Sequence, residues 1–393
     1  MIRHLFKLIW NQRKSNFLLI TEIFFSFLVL FAVLSFIFYS YHNYTQPLGF
    51  KYDKVWQLWL SPNTDSAAHN IAVQEQMIQR VRTFPEVEYA SLSNSNTPFA
   101  FSMMSSDLSY RGKKGVETNV FNVQDDYINV FDMKVSQGRW FGPQDNASLH
   151  DPIVINKKLQ EELFGDEAAV GKLIRINDST QYAVIGVVDH YRSYSEFDPE
   201  KAAYFHRINL DKDKSSIWNG LVIKVKPGAG VAFEEKMVRE LSRIAKDWTI
   251  EVTTQEKMRQ SKAKVTTVPM VALGLVCGFL VFNVALGLFG VLWYNINRRY
   301  AEIGLRRAIG ASSKQIRNQF VGEVLVIATF GLLLGLVLAV QFPLLQVFQL
   351  SASIYWESIG AAAFVIFLLA TICAIYPSYQ ASKIFPAVAL HEE

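Results

Sequence analysis

Four nearly charge-free apolar runs punctuate the chain, each long enough to cross a bilayer core of about 30 Å as a helix of about 20 residues. They are read as spans over 17–41, 265–297, 324–348 and 358–382. The first, FLLITEIFFSFLVLFAVLSFIFYSY, carries one charge, Glu22, and gathers Phe38, Tyr39 and Tyr41 at its far end, where an interfacial aromatic belt belongs. It is too long for the apolar part of a signal peptide and has no evident small-residue cleavage site, so it is read as an anchor. The uncharged stretches Val265–Asn297 and Val324–Trp356 are each 33 residues. As helices they would reach about 50 Å, so part of each must tilt, bend or protrude.

Between the first and second runs, over 42–264, the period shortens. KVWQLWL (Lys54–Leu60), DPIVIN (Asp151–Asn156), GKLIRIN (Gly171–Asn177), QYAVIGVV (Gln181–Val188) and GLVIKVK (Gly220–Lys226) predict strands. Helices are predicted at Ala72–Phe84 and at Val231–Trp248, the latter with Phe233, Met237, Val238, Leu241, Ile244 and Ala245 on one face. A short third helix, KLQEELF, follows Asn156, which can cap it. Turn-rich stretches at Ser93–Ser106 and Ser193–Glu200 divide this segment into two lobes. The polar run Gln255–Lys264 leads into the second span as a helical stalk, with Pro269 kinking it or marking membrane entry. The expected fold is therefore a membrane protein with four transmembrane α-helices and a large extracytoplasmic α+β domain inserted between the first and second.

Composition and charge agree with this division. Half of the 393 residues are hydrophobic and only 19% are charged, which disfavours a disordered or nucleic-acid-binding chain. Segment 42–264 holds 28 of the 39 basic residues and 29 of the 35 acidic ones, as a soluble domain would. The short loop 298–323 carries six basic residues against two acidic, and the N-terminal segment carries Arg3, Lys7, Arg13 and Lys14 with no acid. Both are assigned to the cytoplasm, which puts both termini inside and 42–264 outside. Residues 1–16 are read as a cytoplasmic amphipathic helix, with Ile2, Leu5, Phe6, Ile9 and Trp10 opposite Arg3, Lys7 and Arg13. Residues 383–393 form a cytoplasmic tail.

Motifs for catalysis are missing. HExxH, CxxC, GxSxG and GxxxxGK[ST] do not occur, and GDEAAVGKL (Gly165–Leu173) has the wrong glycine spacing and ends on Leu where a phosphate loop needs Ser or Thr. Cys277 and Cys373 both fall within spans, which excludes a disulfide framework. No catalytic, metal or cofactor-binding residue is assigned. His190, in VVDHY, is read as a surface turn after a strand; the alternative is a site in which it pairs with Asp189 or Asp198. Glu22 is a possible intramembrane polar site, or else pairs with Arg13, Lys14 or another helix. The cluster Phe99, Phe101, Met103 and Met104 is either core or the lining of a peptide or amphiphile site.

Loop 298–323 reads as an amphipathic helix broken at Gly310 and restarted at Ser312 or Ser313. Its string EIGLRRAIGAS (Glu302–Ser312) resembles the signature after the second span of MacB/FtsX-like permeases, the mechanotransmission or type VII ABC transporters. YPSYQASKIFPAVAL (Tyr376–Leu390) is similar to that family's closing pattern. GRWF (Gly138–Phe141), DPIVINKKLQEELFG, AVGKLIRI and AVIGVVDHY resemble its periplasmic core domain. One departure is ITEIFFSF in the first span, where many members have a run of small residues.

The resemblance implies a non-enzymatic permease subunit in the bacterial cytoplasmic membrane, paired with a second copy or a homologous permease. A cytoplasmic ABC ATPase dimer would drive it, with ATP and Mg bound on that partner and no cofactor on this chain. An envelope adaptor or a protein substrate is a further implied partner, and nucleic acid is not one. The coupling residues it implies are Glu302, Ile303, Gly304, Leu305, Arg306, Arg307, Gly310 and Ala311. In this reading Ile303 and Leu305 form an apolar knob, Arg306 and Arg307 meet acidic groups, and Gly310 makes a tight turn. The expected activity is export or extrusion of a substrate from the cell envelope. The alternatives are lipoprotein release and ATP-driven regulation of a cell-wall hydrolase.

Overall fold

A computed structural model describes residues 13–63, 66–112, 115–176, 181–210 and 217–385. The expected amphipathic helix over 1–16 and the tail over 383–393 therefore lie largely outside the described residues. The chain divides into two compact units, Asn43–Thr266 and the remainder.

The chain enters through helix α1 (Arg13–Tyr44) and passes into a β-rich unit. In order come β1 (Val55–Pro62), α2 (Ala67–Arg82), β2 (Val87–Ser93), β3 (Ser105–Leu108), β4 (Val116–Val123), α3 (Tyr127–Val130) and β5 (Val135–Gly138). After them follow β6 (Asp151–Asn156), α4 (Lys157–Phe164), β7 (Leu173–Arg175), β8 (Gln181–Val188), β9 (Ala203–Arg207), β10 (Gly220–Val225), α5 (Val231–Ile244) and β11 (Trp248–Thr254). One sheet takes up all these strands in the order β11-β1-β10-β2-β4-β9-β6-β8-β5, with β3 added to β4 and β7 to β8. The pairs β4/β9 and β6/β8 are parallel and the others antiparallel.

The sheet has two halves, joined between β2 and β4 by the single residue pair Ser93↔Val123. Ser93 is where the expected lobe division begins, yet the sheet path runs across it. Helices α2 and α5 cover the first half, burying Met77, Val81, Met237 and Leu241 against Leu58 and Leu221. Helix α4 covers the second half, burying Leu159 and Leu163 against Ile153 and Ile155. The Asn156 side chain accepts the Leu159 N–H at 3.0 Å and so caps α4. Helix α5 ends at Ile244, earlier than the expected Trp248, because Trp248 opens β11 opposite Pro62. The strand expected over 171–177 is limited to Leu173–Arg175, since Gly171 makes a turn at φ +84°.

Four described helices are long and apolar enough to cross a membrane: Phe17–Tyr44, Gln255–Arg298, Ser313–Leu345 and Ala352–Ser382. Helix α6 (Gln255–Arg298) continues through Pro269. After it come α7 (Tyr300–Ala308), α8 (Ser313–Ala339), α9 (Gln341–Leu345) and α10 (Ala352–Ser382). Helix α1 packs closely on α8, and a Cβ at Gly331 would stand 2.7 Å from the Ile23 side chain. Phe27, Ile23, Phe320, Leu332 and Ile366 are among the buried residues of this helical core.

Candidate functional site

Segment 298–323 is built from two helices and a turn. Helix α7 ends at Ala308 and the chain turns at Gly310, whose φ of +100° suits glycine, and among the described residues nothing lies within 4 Å of where its Cβ would be. The glycine is therefore needed for backbone conformation and not for space. Ser312 then starts α8 with a capping box: its hydroxyl accepts the Gln315 N–H at 3.3 Å, and the Gln315 side chain accepts the Ser312 N–H at 2.8 Å.

Five side chains close a ring between α7 and α8. Arg299 donates to Glu302 at 3.0 Å and to both oxygens of Glu323 at 3.0 Å. Gln319 donates to Glu323 at 3.1 Å and accepts from Arg306 at 2.8 Å, while Arg306 returns to Glu302 at 2.6 Å. Arg299 also lies over the Phe320 ring, 5.1 Å from its centroid. Burial disfavours the Arg299 charge, but Glu302 and Glu323 outweigh it and raise the guanidinium further above its ordinary value. Arg307 donates to Ser313 at 2.7 Å, and Ser313 donates to the Ser382 carbonyl at 3.2 Å.

The predicted residues take different places in this frame. Glu302 and Arg306 belong to the ring, and Arg307 is tied to Ser313. Ile303 is buried in the helical core and Gly304 is buried beside it, so Ile303 cannot form an exposed knob. Leu305 is 53% exposed, and Ile309, which the sequence reading passed over, is 78% exposed. The apolar surface offered here is thus Leu305 with Ile309, which follows α7 directly, lies four residues on and donates its N–H to the Leu305 carbonyl at 3.1 Å. That spacing was the available signal. Ala311 is half-buried against the core and Gly310 makes the turn. Arg299, Gln319 and Glu323 were also missed; Arg299 and Glu323 lie 24 residues apart, and no local spacing links them.

Glu22 is half-buried in α1, and a Cβ at Gly287 of α6 would stand 2.7 Å from its Oε2. Among the described residues it makes no ion pair, and the side chains of Arg13 and Lys14 lie outside them. His190 pairs with Glu200 at 2.9 Å and not with Asp189 or Asp198. The Glu200 carboxylate also accepts the Tyr191 N–H and an Asn156 amide proton, each at 2.9 Å, so this is a turn fastening. Among the described residues no cluster of three or more His, Cys, Asp or Glu could hold a metal ion.

Comparison with known proteins gives two family matches: a MacB-like periplasmic core domain over residues 17–240 and an FtsX-like permease C-terminal region over residues 269–386. The chain is 26% identical over 333 residues to the macrolide export ATP-binding/permease protein MacB of Pasteurella multocida, covering 80% of this chain and 49% of that one. It thus spans about half the length of that relative. It is 22% identical to YknZ, an uncharacterised ABC transporter permease of Bacillus subtilis, covering 70% of each. Among solved structures, the periplasmic region of MacB from Actinobacillus actinomycetemcomitans aligns at 14% identity and a TM-score of 0.39, covering 54% of this chain and 93% of that one. The core-domain match takes in more than half of the residues and the FtsX-like match takes in most of the rest; the chain belongs to the MacB/FtsX-like family of ABC transporter permeases.

Proposed function

We propose that this chain is the permease subunit of an ABC transporter that carries ATP-driven motion from cytoplasmic ATPase subunits to its β-rich domain, and so exports or extrudes a substrate from the cell envelope. In this reading both termini and 298–323 are cytoplasmic, the β-rich unit is extracytoplasmic, and two permeases act together. Nucleotide and Mg belong to the ATPase partner. The observation that carries the proposal is the side-chain ring between α7 and α8. It fixes the short helix α7 while leaving Leu305 and Ile309 exposed, which is the form a force-bearing contact requires: a rigid base and an apolar tip.

Two polar side chains inside the apolar runs, Asn283 and Gln341, favour motion over a polar conduit, with Glu22 the one charged group in those runs among the described residues. Asn283 donates to the Phe279 carbonyl of its own helix at 2.8 Å, and Gln341, at the start of α9, donates to the Val337 carbonyl in the last turn of α8 at 3.2 Å, so each is bonded to backbone four residues before it. The test is affinity purification of the native chain and of a Leu305→Asp, Ile309→Asp double variant in mild detergent. A P-loop ATPase that accompanies the native chain and is lost from the variant supports the proposal. An ATPase found with neither, or equally with both, overturns it.

A further inference from the structure

The β-rich unit contains a cavity of about 400 Å³ that the coupling surface does not involve. Strands β1 and β11 supply Trp59 and Thr253, the start of α6 supplies Lys257, Met258 and Ser261, and the β2–β3 connection supplies Phe101 and Ser102. The volume falls within the range of small-molecule sites, about 300 to 1,000 Å³.

The wall formed by the β2–β3 connection is held in place at an energetic cost. Phe99 has φ +63°, a left-handed conformation that a bulky side chain disfavours. Two contacts impose it: the Phe99 N–H donates to the Ser193 carbonyl at 2.7 Å, and the Lys262 ammonium donates to the Ala100 carbonyl at 3.1 Å. Lys262 is buried, and burial lowers its proton affinity although Asp198 opposes the shift. Its ammonium lies 4.0 Å from the Tyr194 ring centroid and 5.2 Å from that of Phe101. With the backbone pinned in this way, Phe101 remains 63% exposed at the cavity instead of collapsing into it.

The lining selects a ligand type. Trp59, Phe99, Ala100, Phe101 and Met258 make the apolar half of it, hydroxyl side chains and Lys257 make the other half, and among the described residues Lys257 is its one cation and no carboxylate lines it. Lys257 makes no ion pair among the described residues, so its charge is available. We propose that this cavity binds a small anionic amphiphile, with its apolar body between Trp59, Phe101 and Met258 and its acidic group on Lys257 beside the hydroxyls of Ser102 and Ser261. The site is independent of the coupling surface and needs no ATPase.

The test uses the full chain alone in phosphatidylcholine nanodiscs, with empty discs as background. Two probes of similar shape are compared by equilibrium dialysis: the sulfonate 1-anilinonaphthalene-8-sulfonate and the uncharged N-phenyl-1-naphthylamine. The native chain binds the sulfonate saturably, at one site. Lys257→Glu weakens the sulfonate roughly tenfold and leaves the neutral probe unchanged, whereas Ser261→Trp, which fills the cavity, removes both. Both substitutions are at exposed helix positions. No saturable binding by the native chain, or equal binding of the sulfonate by the native chain and both variants, overturns the proposal.

Discussion

Arg299 places one guanidinium nitrogen 3.0 Å from each oxygen of Glu323, with only 12% and 13% of the two side chains exposed. The pair ties the start of α7 to α8, and the rest of the ring depends on it. Glu323→Ala leaves a buried cation that Glu302 alone must balance, and the expected loss of stability is about 3 kcal/mol. Thermal unfolding of the purified chain in detergent measures it. Glu323→Gln, which can still accept a hydrogen bond, is expected to lose less.

Ile303 and Ile309 should give opposite results. Ile303→Ala opens a cavity in the helical core and costs about 3 kcal/mol. Ile309→Asp changes an exposed side chain, leaves stability within about 0.5 kcal/mol, and abolishes ATPase recovery in affinity purification. If Ile309→Asp destabilises the chain as much as Ile303→Ala, the assignment of the two faces is wrong.

The glycines of the apolar helices divide into two groups. At Gly331 an added Cβ meets the Ile23 side chain at 2.7 Å and the Ile20 carbonyl at 3.0 Å, so Gly331→Leu should lower the melting temperature markedly. At Gly274 and Gly278 nothing lies within 4 Å among the described residues, so alanine there should be neutral or slightly stabilising in the unassociated chain, since alanine favours helix by up to about 1 kcal/mol. Melting in dilute detergent distinguishes the groups.

Asp145 predicts an acid-sensitive corner of the β-rich unit. Burial pushes its carboxyl up, but Arg139, at 2.6 and 2.7 Å, and the Gly142 N–H, at 3.0 Å, outweigh that and hold it below its ordinary value of 3.8. A depressed carboxyl contributes stability that is complete above the unfolded value and is lost as pH falls through the folded one. Melting temperature should therefore drop more steeply below about pH 4 for the native chain than for Asp145→Asn, which begins lower and varies less.

Local rules made much of this fold legible. The strands at Asp151–Asn156 and Gln181–Val188 and the Asn156 cap follow from alternation and capping within a few residues, and the structure has them at those positions. The end of α5 was not legible, because Trp248 suits a helical face and a strand equally and pairing with Pro62 decides between them. In the candidate site the turn at Gly310 and the cap at Ser312 could be read. The inward face of Ile303 could not: an amphipathic helix shows its period in sequence, but which stripe meets the core is set by packing. The Arg299–Glu323 contact is a tertiary event and left no trace in spacing.

The junction between β2 and β4 has one further consequence. With a single ladder pair there, whose backbone bonds run from Asn94 to Asn122 at 3.1 Å and from Gln124 to Leu92 at 3.2 Å, side-chain amides add further stitches: Gln124 accepts the Leu92 N–H at 3.1 Å, and Asn94 and Asn96 donate to the Val120 carbonyl at 3.1 and 2.7 Å. Backbone ladders are indifferent to side-chain identity, whereas these stitches are encoded residue by residue. A buried cluster that takes in Val55 and Val222 from one half and Phe121, Val123 and Phe205 from the other holds the halves together across this line, so point substitution at the amides tunes how stiffly they are joined while that shared core preserves the architecture.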